Sequence, residues 1–210
     1  MPGVRPGEGS VDELRTLLAW YLDRLSDYGR WQLGTLREAF GPGTQLMVLL
    51  PSWGLRPGEV ERAVGAGLDG STSGEQRGTI TEGLDWDRQL SDYADLPGVA
   101  VCTTWLDPPD QGGDAHSMSP GRYLASLAEP FGMAVWGENT GGNDRSAMAR
   151  CISRVVELDM AGLFWMSGAD LGQDGNATLD DYAELIAGRR RTLRPWPTPS
   201  RASARPGRAR

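Results

Sequence analysis

The sequence predicts an α/β fold built on a parallel sheet, and three observations carry that reading. Four short apolar runs, QLMVLL at 45–50, VAVCTTW at 99–105, MAVW at 133–136 and AGLFWM at 161–166, have the length of strands covered on both faces. Stretches with apolar residues at helical spacing lie between them, and clusters of Gly, Pro, Ser and Asp separate one element from the next. Strands that alternate with helices pair in parallel, because each crossover helix returns the chain to the same end of the sheet.

The elements follow in order. Leu14, Leu17, Leu18, Tyr21, Leu22 and Leu25 recur at helical spacing, and the pattern continues through Trp31 and Leu36, so residues 11–40 read as helix, with a break expected near Gly29. Gly41-Pro42-Gly43 ends it, and the first strand runs from 45 to 50 until Pro51-Ser52-Trp53-Gly54 closes it. A short helix at 59–68, a Gly/Ser/Thr loop GLDGSTSGEQRG and a helix from about 83 to 94 lead to Pro97-Gly98 and the second strand. Ser119 caps and Pro120 opens the next helix, which turns Tyr123, Leu124 and Leu127 inward. The third strand follows, and then a helix capped by Asn143 or Asp144 that carries Met148, Ile152, Val155, Val156 and Leu158. After the fourth strand, a last helix spans about 178–187.

A chain of 210 residues buries one core, and its 39% hydrophobic and 23% charged content are those of an ordinary globular domain. Residues 1–10 read as a flexible lead-in, 11–188 as the folded unit, and 189–210 as a disordered tail rich in Arg and Pro. That tail holds eight arginines without an acidic neighbour, and without it 13 basic residues face 28 acidic ones, a net −15 over 1–188. So acidic a body does not suit a nucleic-acid partner. No apolar run reaches the ~20 residues of a membrane span. The first residues, MPGVRPGEGS, lack the basic start and apolar core of a secretory signal, which leads to the expectation of a cytoplasmic protein. Cys102 and Cys151 read as buried thiols.

Four strand–helix units form either an open doubly wound sheet or half of an eight-stranded barrel. A nucleotide-binding open sheet would carry a glycine fingerprint between a strand and a helix, and neither GxGxxG nor GxxxxGK[ST] occurs in that context; the sequence has no lysine at all. No cofactor is expected. In a barrel the chemistry sits at the carboxyl ends of the strands. Here those ends read Ser52-Trp53, Thr104-Trp105-Leu106-Asp107, Trp136-Gly137-Glu138-Asn139 and Trp165-Met166-Ser167 with Asp170 beyond. A tryptophan at every strand end lines a cleft with flat apolar faces, which suit the C–H faces of sugar rings and make carbohydrate the expected ligand.

The run VWGENTGG at 135–142, followed one unit later by GLFWMSGADL at 162–171, resembles strands seven and eight of the retaining (β/α)8-barrel glycoside hydrolases, the clan that contains β-galactosidases and cellulases. The resemblance spans residues 11–188. It implies the second half of a TIM barrel, strands five to eight, with Glu138 as catalytic nucleophile and Trp165 beneath the sugar being cleaved. Trp53, Trp105, Asp107, Trp136, Asn139 and Asp170, at the same strand ends, complete the expected substrate-binding set. The clan's acid/base is a glutamate after an asparagine at the end of strand four. No Asn-Glu pair occurs in this sequence, so the resemblance places the acid/base in a missing amino-terminal half. Self-association is the other way such a half-barrel would cover itself.

Retaining hydrolysis needs two carboxyl groups ~5 to 5.5 Å apart across the glycosidic bond, and Glu138 supplies one. Asn139, Thr140 and the glycine-rich backbone offer donors that would keep it ionised. The competing reading makes Glu138 a capping or salt-bridged loop residue, and a non-catalytic carbohydrate-binding or scaffold half-barrel is the alternative to an enzyme. Asp107 and Asp170 either contact sugar hydroxyls or cap loops. His116 is the only histidine, so neither a Ser/His/Asp triad nor a multi-histidine metal site is expected. Asp170, Asp174, Gly175 and Asp181 fall into a calcium-loop register that Gly172 interrupts, and no metal is expected there either.

Overall fold

The computed structural model describes residues 9–68, 79–166 and 168–188. Most of the expected Gly/Ser/Thr loop, Ser167, residues 1–8 of the lead-in and the Arg/Pro-rich tail lie outside the described residues.

Helix α1 (Val11–Phe40) opens with a reciprocal cap: the Glu13 amide donates to Ser10 Oγ, and the Ser10 amide donates to the Glu13 carboxylate at 2.8 Å. Leu14, Leu18 and Leu22 lie one turn apart and are buried with Leu55 and Val64. The expected break at Gly29 does not occur. The helix runs through it, because the missing side chain leaves room for the Tyr93 hydroxyl. At its end, Arg37 donates to the carbonyls of Gly41 at 2.8 Å and Pro97 at 2.6 Å, which ties the helix terminus to the turn that starts the second strand.

Strand β1 (Leu46–Leu50), helix α2 (Glu59–Gly65), helix α3 (Trp86–Tyr93, capped by Asp85), strand β2 (Val99–Thr103), helix α4 (Pro120–Ala128), strand β3 (Ala134–Glu138), helix α5 (Arg145–Glu157), strand β4 (Gly162–Phe164) and helix α6 (Leu179–Ala187) follow. Asp144, rather than Asn143, caps α5 by accepting from the Ala147 amide at 2.8 Å. The second and fourth strands end at Thr103 and Phe164, short of Trp105 and Trp165, because both indoles fall in the turns that leave the sheet.

All three strand pairs are parallel, and the order across the sheet is β1-β2-β3-β4. That order distinguishes the two candidate sheets. Successive right-handed crossovers that always step the same way place every helix on one face, whereas a doubly wound sheet must reverse direction at a switch point. The core agrees. Val101 and Val135 pack with Leu90 of α3, Leu124 of α4, and Cys151 and Val155 of α5. On the opposite face β1 leaves Leu49 54% exposed and β4 leaves Phe164 42% exposed. A sheet wound in one sense, with helices on one side and an open apolar face on the other, is four strands' worth of a (β/α)8 barrel.

Candidate active site

The site is built where the strands deliver their last residues. Side chains alternate along β3, so Val135 and Gly137 point toward the helices while Trp136 and Glu138 point to the open face. The glycines confirm the parity. A β-carbon on Gly137 would overlap Leu106 of the helix-side core, and one on Gly162 would overlap the Trp136 indole on the open face. Glu138 is half-buried and stands in register with Phe164 of β4. Its carboxylate makes no hydrogen bond or salt bridge among the described residues. Its charge nevertheless reaches the buried Cys102 of the neighbouring strand. Burial pushes that thiol up to about 12, and Glu138 adds to the shift.

The loops around Glu138 are braced by groups that face away from the opening. Asp107, buried after β2, accepts the Thr140 amide at 2.6 Å and the Thr140 hydroxyl at 2.9 Å, while Gly142 lets the second carboxylate oxygen approach to 2.9 Å of where a β-carbon would stand. Asn139 is fully buried: its Oδ1 accepts from the Met166 amide at 2.6 Å and its Nδ2 donates to the Gly142 carbonyl at 3.2 Å. Asp170 accepts from Asn143 Nδ2 at 3.3 Å and from Gln173 Nε2 at 3.2 Å, which holds the turn after β4. Asp107, Asn139 and Asp170, expected against the sugar, are thus engaged within the loops.

The tryptophans divide. Trp53 and Trp105 form one tilted pair with centroids 5.6 Å apart. Trp136 stacks on Phe164 at 5.1 Å. Trp165 does not join either pair; it packs against the helix-side core and against the cluster of Met148, Ile152 and Ala177.

Two arginines that carry no signal in the sequence complete the bracing. Arg154 of α5, buried, donates to the Leu106 carbonyl at 2.6 Å, and Leu106 in turn donates its amide to the Glu138 carbonyl at 3.0 Å. Burial pulls the Arg154 guanidinium below its usual value, with Asp110 at 3.5 Å opposing the shift. Arg56 lies 3.8 Å over the Tyr123 ring, donates to the Met118 carbonyl at 3.2 Å and is likewise lowered by burial. On a helix or in a loop a lone arginine reads as a solvated charge, so only three-dimensional placement reveals these two.

Among the described residues no group of three or more His, Cys, Asp or Glu is placed to hold a metal. Asp181 of the calcium-loop register instead caps α6, accepting from Thr178, and pairs with Arg145.

No protein-family model matches the chain, and no curated protein matches it. Among solved structures it is similar to the catalytic domain of β-amylase from Paenibacillus polymyxa, with a TM-score of 0.61 and 15% identity over 85% of this chain. The likeness is one of fold alone. The chain spans 41% of that protein's length, in keeping with four strands of eight.

Proposed function

We propose that this chain supplies one half of a glycosidic-bond-hydrolysing (β/α)8 barrel, with Glu138 as the nucleophile of a retaining reaction. The observation that carries the reading is the placement of Glu138: a carboxylate without a partner among the described residues, at the carboxyl end of β3, on the face of the sheet that would line a barrel's interior. Every other acid singled out at the strand ends is engaged in bracing, whereas a nucleophile must keep its oxygens free for the anomeric carbon. In the reaction Glu138 attacks that carbon, and the bond to the leaving oxygen breaks as an acid on the other half protonates it. Water, deprotonated by the same group, then releases the sugar and frees the carboxylate.

The other half is a separate set of strands rather than a second copy. Helix α1 precedes β1 and helix α6 follows β4, so the chain already carries a helix outside each of its edge strands. Two copies would bring α6 of one and α1 of the other to each junction, where a barrel has room for a single crossover helix. A complement that begins and ends with a strand, four strands and three helices, avoids the conflict. The stripe Trp20, Tyr28 and Trp31, exposed on α1, suits contact with such a half.

The second reading, a carbohydrate-binding half without catalysis, draws on the engagement of Asp107 and Asp170, which leaves Glu138, of these three acids, the one without a partner among the described residues. One experiment separates the two. The completed barrel is incubated with 2-deoxy-2-fluoro glycosides of the gluco, galacto, manno and xylo series bearing a good leaving group, and the labelled peptide is mapped. Label on Glu138, lost in Glu138→Gln, is the expected result. Sugar binding without label or turnover favours the non-catalytic half, and product of inverted configuration excludes the retaining mechanism.

A further inference from the structure

We infer that Phe164, rather than Trp165, is the apolar floor of the sugar site, and that Trp165 anchors the strand end from behind. The inference rests on the carbohydrate reading above. Phe164 is the residue paired in register with Glu138 across β3 and β4, so the two side chains leave adjacent strands at the same level of the sheet. Strand parity puts both on the open face, and the stack of Phe164 on Trp136 establishes that side independently, since Trp136 lies over Gly162.

Phe164 lies on the open apolar face of the sheet, at the end of the edge strand β4. The ring is 42% exposed and lies at 27° to the Trp136 plane, so one face is stacked and part of the ring stays open. An apolar ring held beside a carboxylate that has no partner among the described residues matches a pyranose: the C–H face rests on the ring while the anomeric carbon faces the acid. Gly162 has a part in this. Because it lacks a side chain, the Trp136 indole can lie across β4 and fix the Phe164 ring from one side.

Trp165 is placed differently. It packs against two core clusters that contain Met148, Cys151, Ile152 and Val155, all from α5. An indole held there locks β4 to its crossover helix and does not share the face of Glu138.

The test uses the full 210-residue chain and three probes, maltotriose, cellotriose and xylotriose, titrated while indole fluorescence is followed, with Trp136 as the reporter beside Phe164. At least one probe is expected to saturate. For that probe Phe164→Ala should weaken affinity about tenfold and Phe164→Tyr should stay within about twofold of the parent, as loss and retention of a stacking face dictate. Trp165→Phe should leave affinity unchanged and lower the unfolding midpoint. Affinity unchanged in Phe164→Ala, with circular dichroism showing a native fold, would overturn the floor assignment and leave the carbohydrate reading standing. Weakened affinity in Trp165→Phe with an unchanged midpoint would overturn it too. If none of the three probes binds the parent chain, the carbohydrate reading itself fails and the assignment fails with it.

Discussion

Asn139 and Met166 are joined across the open end of the sheet, the amide oxygen of one accepting from the backbone amide of the other at 2.6 Å. The bond links the turn after β3 to the turn after β4, so the residue next to Glu138 in sequence fixes the loop that follows Phe164. The same side chain donates to the Gly142 carbonyl at 3.2 Å, and a fully buried amide that satisfies both loops is a brace by physical necessity.

Asn139→Ala should therefore destabilise the fold by about 1 to 3 kcal/mol, because the Met166 amide and the Gly142 carbonyl both lose the partner that the buried Asn139 side chain supplies. Urea unfolding checks this, and a midpoint equal to the parent's would show that the two loops are held by something else.

Gly29→Ala pits two effects against each other. Alanine gains up to about 1 kcal/mol of helix propensity over glycine in mid-helix. Its methyl group, however, would overlap the Tyr93 hydroxyl, and Tyr93 is a rigid, buried ring whose burial also pushes its own pKa up to about 12. Overpacking of that kind costs about 1 to 3 kcal/mol, so a net loss of stability is expected. A rise in melting temperature would mean that α1 and α3 separate more easily than their packing suggests.

Much of the fold was legible in the sequence because its signals are local. The β1 run LMVLL and the Ser-Pro start of α4 each declare their element within a few residues, and a fixed alternation of strand and helix specifies a parallel sheet. The break expected at Gly29 failed because the glycine answers to a tertiary partner, Tyr93, 64 positions away in sequence. At the site, the position of Glu138 at a strand end could be read, but which of Phe164 and Trp165 stands in register with it could not. Adjacent residues at a strand end point to opposite faces, and the difference of one position depends on register with β3. Asp107, Asn139 and Asp170 have the right chemistry for sugar hydroxyls, and their hydrogen bonds to Thr140, Met166 and Asn143 depend on loop geometry that the sequence does not display.

Asp85 offers a dependence on pH. It caps α3 by accepting the Arg88 amide at 3.3 Å, yet burial raises its pKa above the usual 3.8, with Asp87 and Asp92 adding to the shift and the Arg88 amide opposing it. Arg88 Nε lies 3.9 Å away, and the same guanidinium pairs with Asp23 through Nη1. A carboxyl whose folded pKa is raised binds more protons in the folded state, so its contribution to stability falls as pH rises from the unfolded value near 3.8 through the folded one, and stays reduced above. Asp85→Asn keeps an oxygen for the cap and removes the charge. The variant should be more stable than the parent at pH 7, with the gain shrinking toward zero as pH falls below about 4. Thermal melts across that range test it, and a gain that grows on acidification would reverse the sign of the argument.

Glu138→Gln separates a functional carboxylate from a structural one without any substrate. If Glu138 were a cap or an ion-pair partner, loss of its charge would strip a hydrogen bond or salt bridge from the loop and cost about 1 to 3 kcal/mol. Its carboxylate has no such partner among the described residues, and it stands half-buried beside apolar Phe164, where a charge is solvated less well than in water. Glutamine is nearly isosteric and neutral. The substitution should therefore leave the unfolding free energy unchanged or raise it slightly, while Asn139→Ala, one residue away, lowers it. This contrast between neighbours is what a site kept for chemistry at the expense of stability produces. Paired urea titrations of the two variants supply the measurement, and a loss above about 1 kcal/mol in Glu138→Gln would return Glu138 to the structure of the loop.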